Sequence, residues 1–267
     1  MSKVVLITGG SSGIGKSIGE YLHYKGFVVY GTSRNPERIV DSVFPLITLD
    51  VRNTDSIHAA IAKIIVTSGK IDVVINNAGV GITGPLEEIP TEEIKNNFET
   101  NFFGPIEVMK AVLPQMRSQH SGLIINITSI AGYMGLPYRS IYSASKGALE
   151  LVTEALRMEV KPFGIQITNV APGDFATNIA SGRFHAPLIK GSAYEIKYGN
   201  TLKTMDEHVN RGSNPNEMAE AVYKIIQTPE PQIHYKVGAF LQKFSIVLKR
   251  ILPDKVYEKM VMNHYKL

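Results

Sequence analysis

The chain alternates short apolar runs with stretches whose apolar residues recur three and four positions apart. Short runs rich in valine and isoleucine predict buried strands, and the periodic stretches between them predict helices. Strands joined by helices form right-handed crossovers, which produce a parallel sheet covered on both faces. The pattern therefore predicts an α/β fold with a doubly wound, mainly parallel sheet of seven strands. The predicted strands are 3–8, 27–32, 46–49, 71–76, 123–127, 164–171 and 232–237.

Several helix boundaries can be placed from glycine and proline. The first helical pattern follows the segment GGSSGIG and stops at Gly26, and the second covers about 54–68. A long helical region extends from 91 to about 118, where Pro105 and Pro114 predict kinks or boundaries.

The stretch 174–212 lacks a clear periodicity and contains four glycines. A segment of this kind is typical of a mobile lid over a substrate site. Together with this lid, residues 1–238 are predicted to form one domain, and residues 239–267 a helical extension at the C-terminus.

The C-terminal extension carries an apolar stripe at helical spacing, flanked by Lys243, Lys249 and Arg250. Such a stripe packs against its own subunit or a partner, or, because of its basic flanks, lies on an anionic membrane surface. Packing is the favoured interpretation because stripes at this spacing belong more often to cores than to membrane contacts. The stripe comprises Val237, Phe240, Leu241, Phe244, Val247, Leu248 and Ile251.

Composition and charge indicate the number of domains and exclude several kinds of binding site. A chain of 267 residues, 44% of them hydrophobic, suits one large domain with a full core, and the lack of cysteine excludes disulfides and thiolate metal sites. No run of about 18 apolar residues occurs, so we expect a soluble, cytoplasmic protein. From residue 236 onward seven basic residues stand against two acidic ones, whereas residues 1–235 carry 21 basic and 22 acidic residues. The near-neutral body gives no indication of nucleic-acid binding.

A glycine-rich turn follows the first predicted strand and opens the first helix. Glycines let the backbone approach a phosphate closely, and the helix N-terminus offers free N–H groups. The turn therefore predicts a nucleotide site formed by Gly9, Ser11, Ser12, Gly13, Ile14 and Gly15.

The same turn also fits a second class of nucleotide-binding protein. Residues 10–17, GSSGIGKS, satisfy the P-loop pattern G-x-x-x-x-G-K-[ST], and 46–50, LITLD, resemble the strand and aspartate that hold magnesium in such proteins. A P-loop nucleotide hydrolase is therefore an alternative.

The second strand ends in Ser33 and Arg34. In dinucleotide sites an acid near this position binds the ribose 2′-hydroxyl of NAD, whereas an arginine accommodates the 2′-phosphate of NADP. Arg34 stands where that acid would be, which favours NADP(H).

The segment from Ser129 to Lys146 begins at the end of the fifth strand and finishes on a predicted helix. On a helix Tyr142 and Lys146, four residues apart, lie on one face, where the ammonium favours the phenolate and makes tyrosine a usable acid and base. Ser129 follows a strand and can hold the substrate oxygen that Tyr142 protonates or deprotonates. Because parallel strands end on one edge of the sheet, these residues and the glycine turn are expected to cluster there, a convergence that a P-loop protein would not require.

This Ser-Tyr-Lys set, with the glycine turn, resembles the short-chain dehydrogenase/reductase family over residues 1 to about 238, and the fold is then of the Rossmann type. The resemblance implies hydride transfer between NADP(H) and a carbonyl/alcohol pair, without a metal. It also implies that Asn101 completes a proton relay. Further cofactor contacts implied by the resemblance are Asp50, Val51, Asn77, Ala78, Gly79, Tyr142, Lys146, Pro172, Gly173 and Thr177.

The substrate is less well determined than the chemistry. Apolar residues near the predicted site suggest an apolar ketone as substrate. The sequence around Tyr142 is similar to the branch of the family that acts on steroids and retinoids, and fatty-acyl thioesters are alternative substrates. A catalytically silent NADP-binding regulator is a further alternative. The family resemblance implies a homodimer or homotetramer.

Overall fold

The computed structural model describes residues 2–175, 182–210 and 212–267. Seven parallel strands form its main sheet, and a separate pair of short strands lies beside it. The predicted α/β fold of the Rossmann type is confirmed. In chain order the strands are β1 (Val4–Ile7), β2 (Val28–Ser33), β3 (Leu46–Thr48), β4 (Val73–Asn76), β5 (Ile82–Thr83), β6 (Gly122–Ile127), β7 (Ile165–Pro172), β8 (Phe184–His185) and β9 (His234–Val237).

The main sheet has the order β3-β2-β1-β4-β6-β7-β9, so the direction of winding reverses between β1 and β4. Helices cover both faces. Those found in the described residues are α1 (Gly13–Tyr24), α2 (Thr54–Ser68), α3 (Thr91–Phe98), α4 (Gly104–Gln119), α5 (Ser140–Val160), α6 (Glu195–Asn210), α7 (Pro215–Gln227), α8 (Phe240–Ile251) and α9 (Asp254–Tyr265).

Strand β1 shows why the sheet has two cores. All four of its residues are buried, and successive side chains point to opposite faces. Val4 and Leu6 join the cluster that includes side chains of α2, α4 and α5, whereas Val5 and Ile7 join the cluster of α1 and α7. A strand buried on both faces reads as an unbroken apolar run, which is how the sequence predicted it.

The long predicted helix over 91–118 is divided by a π-helical turn, Glu99–Phe103. Pro105 lies directly after this π-helical turn, at the start of α4, and the helix continues across it. Pro114 likewise stays inside α4 without ending it. Burial of Val112 and Met116 against the sheet holds that part of the helix in place.

The stretch 174–212 contains a helix that the sequence pattern did not predict. Helix α6 includes Gly199 and few apolar residues, so its periodicity is weak. Tyr198 is fully buried, and its hydroxyl donates to the carbonyls of Thr83 (3.1 Å) and Ala186 (3.2 Å). A short apolar stripe of Tyr198, Leu202 and Met205 together with these hydrogen bonds attaches α6 to the rest of the fold. The lid function stays a prediction.

The C-terminal extension forms two helices, α8 and α9, where the stripe predicted one. The stripe is present on α8, but Phe240, Leu241 and Ile251 are exposed to solvent. Leu248, a member of the same stripe, packs against the cluster that contains Ile130 and Met134. The favoured interpretation, packing of the stripe on its own subunit or on a partner, therefore stays a prediction. Within the described residues no helix is long and apolar enough to cross a membrane.

A buried acidic group, Glu150, lies on α5 one turn beyond Lys146. Burial raises the pKa of Glu150 to about 7, although hydrogen bonding with Thr128 and Tyr133 acts in the opposite direction. The Tyr133 hydroxyl also lies 3.1 Å from Nδ1 of His234. The structure therefore contains a carboxyl group whose protonated form is favoured by folding.

The Glu150→Gln variant should remove a pH dependence from stability. The ordinary carboxyl pKa is about 4.5 and the folded one about 7. The stability that the protonated group gives is thus lost as pH rises from 4.5 through 7, by on the order of 2–3 kcal/mol at roughly 1.4 kcal/mol per pH unit. In urea unfolding, the free energy of unfolding of the wild type should fall more between pH 5 and pH 8.5 than that of the variant.

The matched control is Glu159→Gln, which changes an exposed acid on the same helix. It should unfold with the wild-type pH dependence. If Glu150→Gln and the wild type lose the same free energy of unfolding between the two pH values, Glu150 is not the responsible group.

Candidate active site

The loops that follow β1, β4, β6 and β7 meet at one edge of the sheet, where two cavities open side by side. One, of about 590 Å³, is lined by the glycine-rich turn and is called here the glycine-turn cavity. The other, of about 630 Å³, is lined mainly by apolar side chains and is called the apolar cavity. The expected convergence of the sequence-predicted residues on this edge is thus present in the structure.

Most of the residues predicted to bind the cofactor line the glycine-turn cavity. Gly15 lies behind the turn, Gly173 lines the apolar cavity, and Thr177 falls outside the described residues. The predicted residues that line the glycine-turn cavity are Gly9, Ser11, Ser12, Gly13, Ile14, Ser33, Arg34, Asp50, Val51, Asn77, Ala78, Gly79, Tyr142, Lys146 and Pro172.

Backbone geometry explains why the turn needs glycine. Gly9 has φ +64°, in the left-handed region that favours glycine. A Cβ on Gly15 would collide with the Asn77 amide and with the Gly9 carbonyl. Asn77 Nδ2 donates to the carbonyls of Thr8 (3.0 Å) and Gly9 (3.1 Å), which fixes the turn against the end of β4.

The turn leads into α1, whose N-cap Ser12 makes no side-chain capping bond. The first N–H groups of a helix have no intrahelical partner and favour an anion. The open cradle in front of them therefore fits the pyrophosphate of a dinucleotide.

The far end of the glycine-turn cavity carries two cationic side chains. Arg34 is exposed at the end of β2, and Arg52, which the sequence interpretation missed, lines the same cavity. Asp50 accepts from the backbone N–H of Arg52 at 3.0 Å and lies 3.5 Å from its guanidinium. A basic residue directly after the predicted Asp50-Val51 pair was the signal that could have identified Arg52.

Tyr142 and Lys146 lie one turn apart on α5, and both are buried. Lys146 Nζ donates to the carbonyl of Ile127 at the end of β6, at 2.9 Å. Burial lowers the pKa of Lys146, while the nearby Tyr142 and Glu150 act in the opposite direction. The ammonium is therefore fixed in place beside the phenol.

Ser129 begins the short 3₁₀ turn Ile130–Tyr133 that follows β6. Its hydroxyl oxygen accepts from the N–H of Ala131 at 3.2 Å, which holds the side chain in one orientation. Ser129 lines the apolar cavity, Lys146 lines the glycine-turn cavity, and Tyr142 lines both. The phenol thus lies at the junction of the two cavities.

Asn101 is fully buried in the π-helical turn that precedes α4. Its amide accepts from the N–H of Val80 at 2.8 Å and donates to the Val80 carbonyl at 2.9 Å. A Cβ built on Gly79 would lie 3.2 Å from Asn101 Oδ1 and 3.4 Å from Lys146 Nζ. The amide and the ammonium therefore approach the same point, and the relay role of Asn101 stays a prediction.

The P-loop alternative fails on geometry. Lys16 lies 3.7 Å from Glu20 in an exposed ion pair on α1, and the hydroxyl of Ser17 donates to Asn216 on α7 at 2.9 Å. Among the described residues that line the glycine-turn cavity, neither Lys16 nor Ser17 is present. The side chains that a P-loop would direct at phosphates are engaged elsewhere.

The apolar cavity uses parts of the chain that the sequence interpretation placed outside the site. Helices α8 and α9 supply one of its walls, with Leu248 and Tyr257 among the contributors. The space left by Gly173 is filled by Gln242, whose Nε2 donates to Asp174 Oδ2 at 2.6 Å. Arg139, beside the Tyr142 ring with its Cζ 5.2 Å from the centroid, is a further lining residue that sequence reasoning missed.

Comparisons with known proteins agree with this geometry. The chain is 41% identical to a 3-ketodihydrosphingosine reductase of Bacteroides thetaiotaomicron, over 96% of this chain and 95% of that protein. A solved short-chain dehydrogenase from Streptomyces avermitilis is 32% identical, with a TM-score of 0.84 over 99% of this chain and 97% of that one. An alcohol dehydrogenase from Thermococcus sibiricus, complexed with 5-hydroxy-NADP, is 25% identical, with a TM-score of 0.73 over 90% and 97% of the two chains.

The family model for short chain dehydrogenases matches residues 3–187, which include the glycine turn, Ser129, Tyr142 and Lys146. The match covers more than half of the chain, and the seven-stranded parallel sheet is the fold found in the solved relative. The chain is therefore an oxidoreductase that belongs to the short-chain dehydrogenase/reductase family.

Proposed function

We propose that this protein reduces the keto group of a long-chain, apolar ketone with NADPH. The observation that carries the proposal is the apolar cavity, which is lined in part by Ser129 and Tyr142 and has the size of a pocket for a ligand of several hundred daltons. The relative of 41% identity is a reductase of 3-ketodihydrosphingosine, a long-chain ketone. This similarity favours a sphingoid-type ketone over the steroids, retinoids and acyl thioesters that the sequence left open.

Reduction of a ketone requires a hydride and a proton. A nicotinamide dinucleotide supplies the hydride when bound, and the residues of the glycine-turn cavity are suited to hold it. Tyr142, at the junction of the two cavities, would donate the proton to the carbonyl oxygen. Ser129, which lines the apolar cavity, would donate a hydrogen bond to the same oxygen, orienting the carbonyl and stabilising the charge that develops on it.

Lys146 and Asn101 are proposed to assist Tyr142, the proton donor. The Lys146 ammonium lies one helical turn from Tyr142, and its bond to the Ile127 carbonyl fixes its position. Asn101 approaches the same point over Gly79 and would connect the lysine to a proton source. These two residues are proposed to restore the proton on Tyr142 between turnovers.

The lining of the apolar cavity fits an extended hydrocarbon chain. Ile130, Met134, Leu248 and Met260 are among the side chains on its walls. The carboxylate of Asp174, at the same cavity, offers an acceptor to a hydroxyl or amino group carried near the keto group. An amphiphilic ketone with one polar end therefore matches the cavity better than a uniformly apolar one.

Assembly through α4 and α5 is part of the proposal. These helices and their ends expose Phe103, Leu151, Met158 and Phe163. Exposed apolar residues on neighbouring helices favour a shared interface between two copies of the chain.

A series of amphiphilic 3-ketones of increasing chain length tests the substrate class. Each methylene that enters the cavity contributes up to about 0.8 kcal/mol, so kcat/KM should rise by up to roughly fourfold per methylene until the cavity is filled. The assay is oxidation of NADPH, followed by absorbance. A steroid ketone reduced more efficiently than every long-chain ketone would contradict the proposal.

The Leu248→Gln variant provides the control within the same series. A polar group on the cavity wall should flatten the chain-length dependence while leaving kcat/KM for the shortest ketone close to the wild-type value. Val66→Gln, at a highly exposed site on α2, should keep the wild-type series.

The cofactor preference should depend on Arg34. A charge-assisted contact with the 2′-phosphate contributes on the order of 1.5–3 kcal/mol, or about 10- to 150-fold in favour of NADPH over NADH. The Arg34→Asp variant should lower this ratio by at least about 10-fold, because the new acid repels the phosphate and accepts from the ribose diol of NADH. Comparison of kcat/KM for the two cofactors measures the effect.

Arg38→Asp is the matched control, since Arg38 lies in the exposed turn Pro36–Arg38 just beyond Arg34. It should leave the cofactor ratio within a factor of about two. A wild-type preference for NADH, or an equal change in both variants, would show that Arg34 does not select the cofactor.

A further inference from the structure

Helix α8 presents an apolar face to solvent. Phe240 is 72% exposed, Leu241 77% and Ile251 68%, with Phe244 and Val247 at 40% and 44%. Their spacing places all five on one side of the helix, and the rings of Phe240 and Phe244 stack at 5.7 Å. A contiguous apolar face of this kind on a surface helix marks a site of contact with another protein or with a membrane.

The opposite side of α8 holds the helix in this orientation. Ile246 is buried beside Ile130, Met134 and Tyr257. Gln242, also on the inner side, exchanges two hydrogen bonds with Asp174, one to the carboxylate at 2.6 Å and one from the backbone N–H at 3.1 Å. Because the Gln242 side chain is bonded inward, rotation of the helix to bury its apolar face would break these two hydrogen bonds.

The charged residues around this face distinguish between the partners that could cover it, a second copy of the chain or a lipid surface. Lys243 and Arg250, seven positions apart, lie along one border of the apolar face, and residues 236–267 carry seven basic and two acidic residues. A second copy docked by two-fold symmetry would bring two such basic regions together, which is unfavourable. A basic border around an apolar helix face complements an anionic lipid surface.

The apolar face is continuous with the apolar cavity. Leu241 and Phe244 belong to the exposed face and also line that cavity, next to Leu248. A lipid surface in contact with α8 would therefore meet the cavity wall directly.

We propose that α8 docks on an anionic phospholipid surface with its apolar face toward the acyl chains and Lys243 and Arg250 at the headgroups. The docking goes beyond the proposed function, because it rests on the surface of α8 and not on the identity of the ketone. It places the apolar cavity where a membrane-dissolved ketone can enter it without crossing water.

Co-sedimentation with lipid vesicles tests the docking. The full chain should sediment with vesicles of phosphatidylcholine and phosphatidylglycerol, and much less with phosphatidylcholine alone. The double variant Phe240→Ser/Ile251→Ser should bind at least roughly 10-fold more weakly, since it removes two exposed apolar groups that do not line the cavity. Lys243→Gln/Arg250→Gln should weaken binding to the anionic vesicles and abolish the difference between the two lipid mixtures.

Val40→Ser/Val66→Ser is the matched control, because these valines are 91% and 87% exposed at sites remote in sequence from α8. It should bind vesicles as the wild type does. Unchanged NADPH binding in all variants shows that each is folded, and turnover of a short ketone in vesicle-free buffer tests the reductase separately.

Three results would overturn the docking proposal. The wild type could stay in the supernatant with anionic vesicles, or Phe240→Ser/Ile251→Ser could bind them as tightly as the wild type. In the third, analytical ultracentrifugation shows that the wild type is a dimer, that Phe240→Ser/Ile251→Ser is a monomer, and that the wild type does not bind vesicles. This result would assign the apolar face to a second copy of the chain. A reductase that remains active on ketones in any of these cases leaves the proposed function intact.

Discussion

The parallel direction of the seven main strands is the constraint on which the site depends. When every strand points the same way, every loop that follows a strand leaves from the same edge. The glycine turn after β1, the Asn77–Gly79 segment after β4 and Ser129 after β6 are far apart in the chain but adjacent at this edge. Helices on both faces bury the strands, so the edge is where polar groups can converge.

Burial of a lysine at this edge is the costly part of the arrangement. An ammonium removed from water is destabilised unless it is paired or hydrogen-bonded, and that destabilisation lowers the pKa of Lys146. The Ile127 carbonyl and the nearby Tyr142 and Glu150 offset part of the cost. The same burial makes the lysine charge effective on the neighbouring phenol, because little water screens it.

The sequence predicted those features that depend on local spacing. Strand runs, the extent of α2 and the one-turn separation of Tyr142 and Lys146 follow from periodicities of two and 3.6 residues. Gly9 followed from the close approach of backbone that a phosphate turn requires. Each of these signals lies within a few consecutive residues, which is why one sequence was enough.

Features set by long-range contacts were missed. Helix α6 is attached through buried Tyr198, whose partners are 115 and 12 residues away. The apolar stripe of α8 was found in the sequence, but the face it turns inward is chosen by Ile246 and by the Gln242–Asp174 pair, 68 residues apart. The α9 side chains reach the apolar cavity only because the tail folds back over the sheet edge, whereas Arg139 lies at the start of α5.

The central claim is that the proton for the carbonyl comes from Tyr142 at the junction of the two cavities. The direct measurement is single-turnover oxidation of prebound NADPH by a long-chain ketone in the wild type and in Tyr142→Phe, which keeps the ring and removes the acid. NADPH should bind both proteins equally, while the rate of oxidation falls by about 100-fold or more in the variant. An equal rate in the two proteins would contradict the claim and assign the proton to another group.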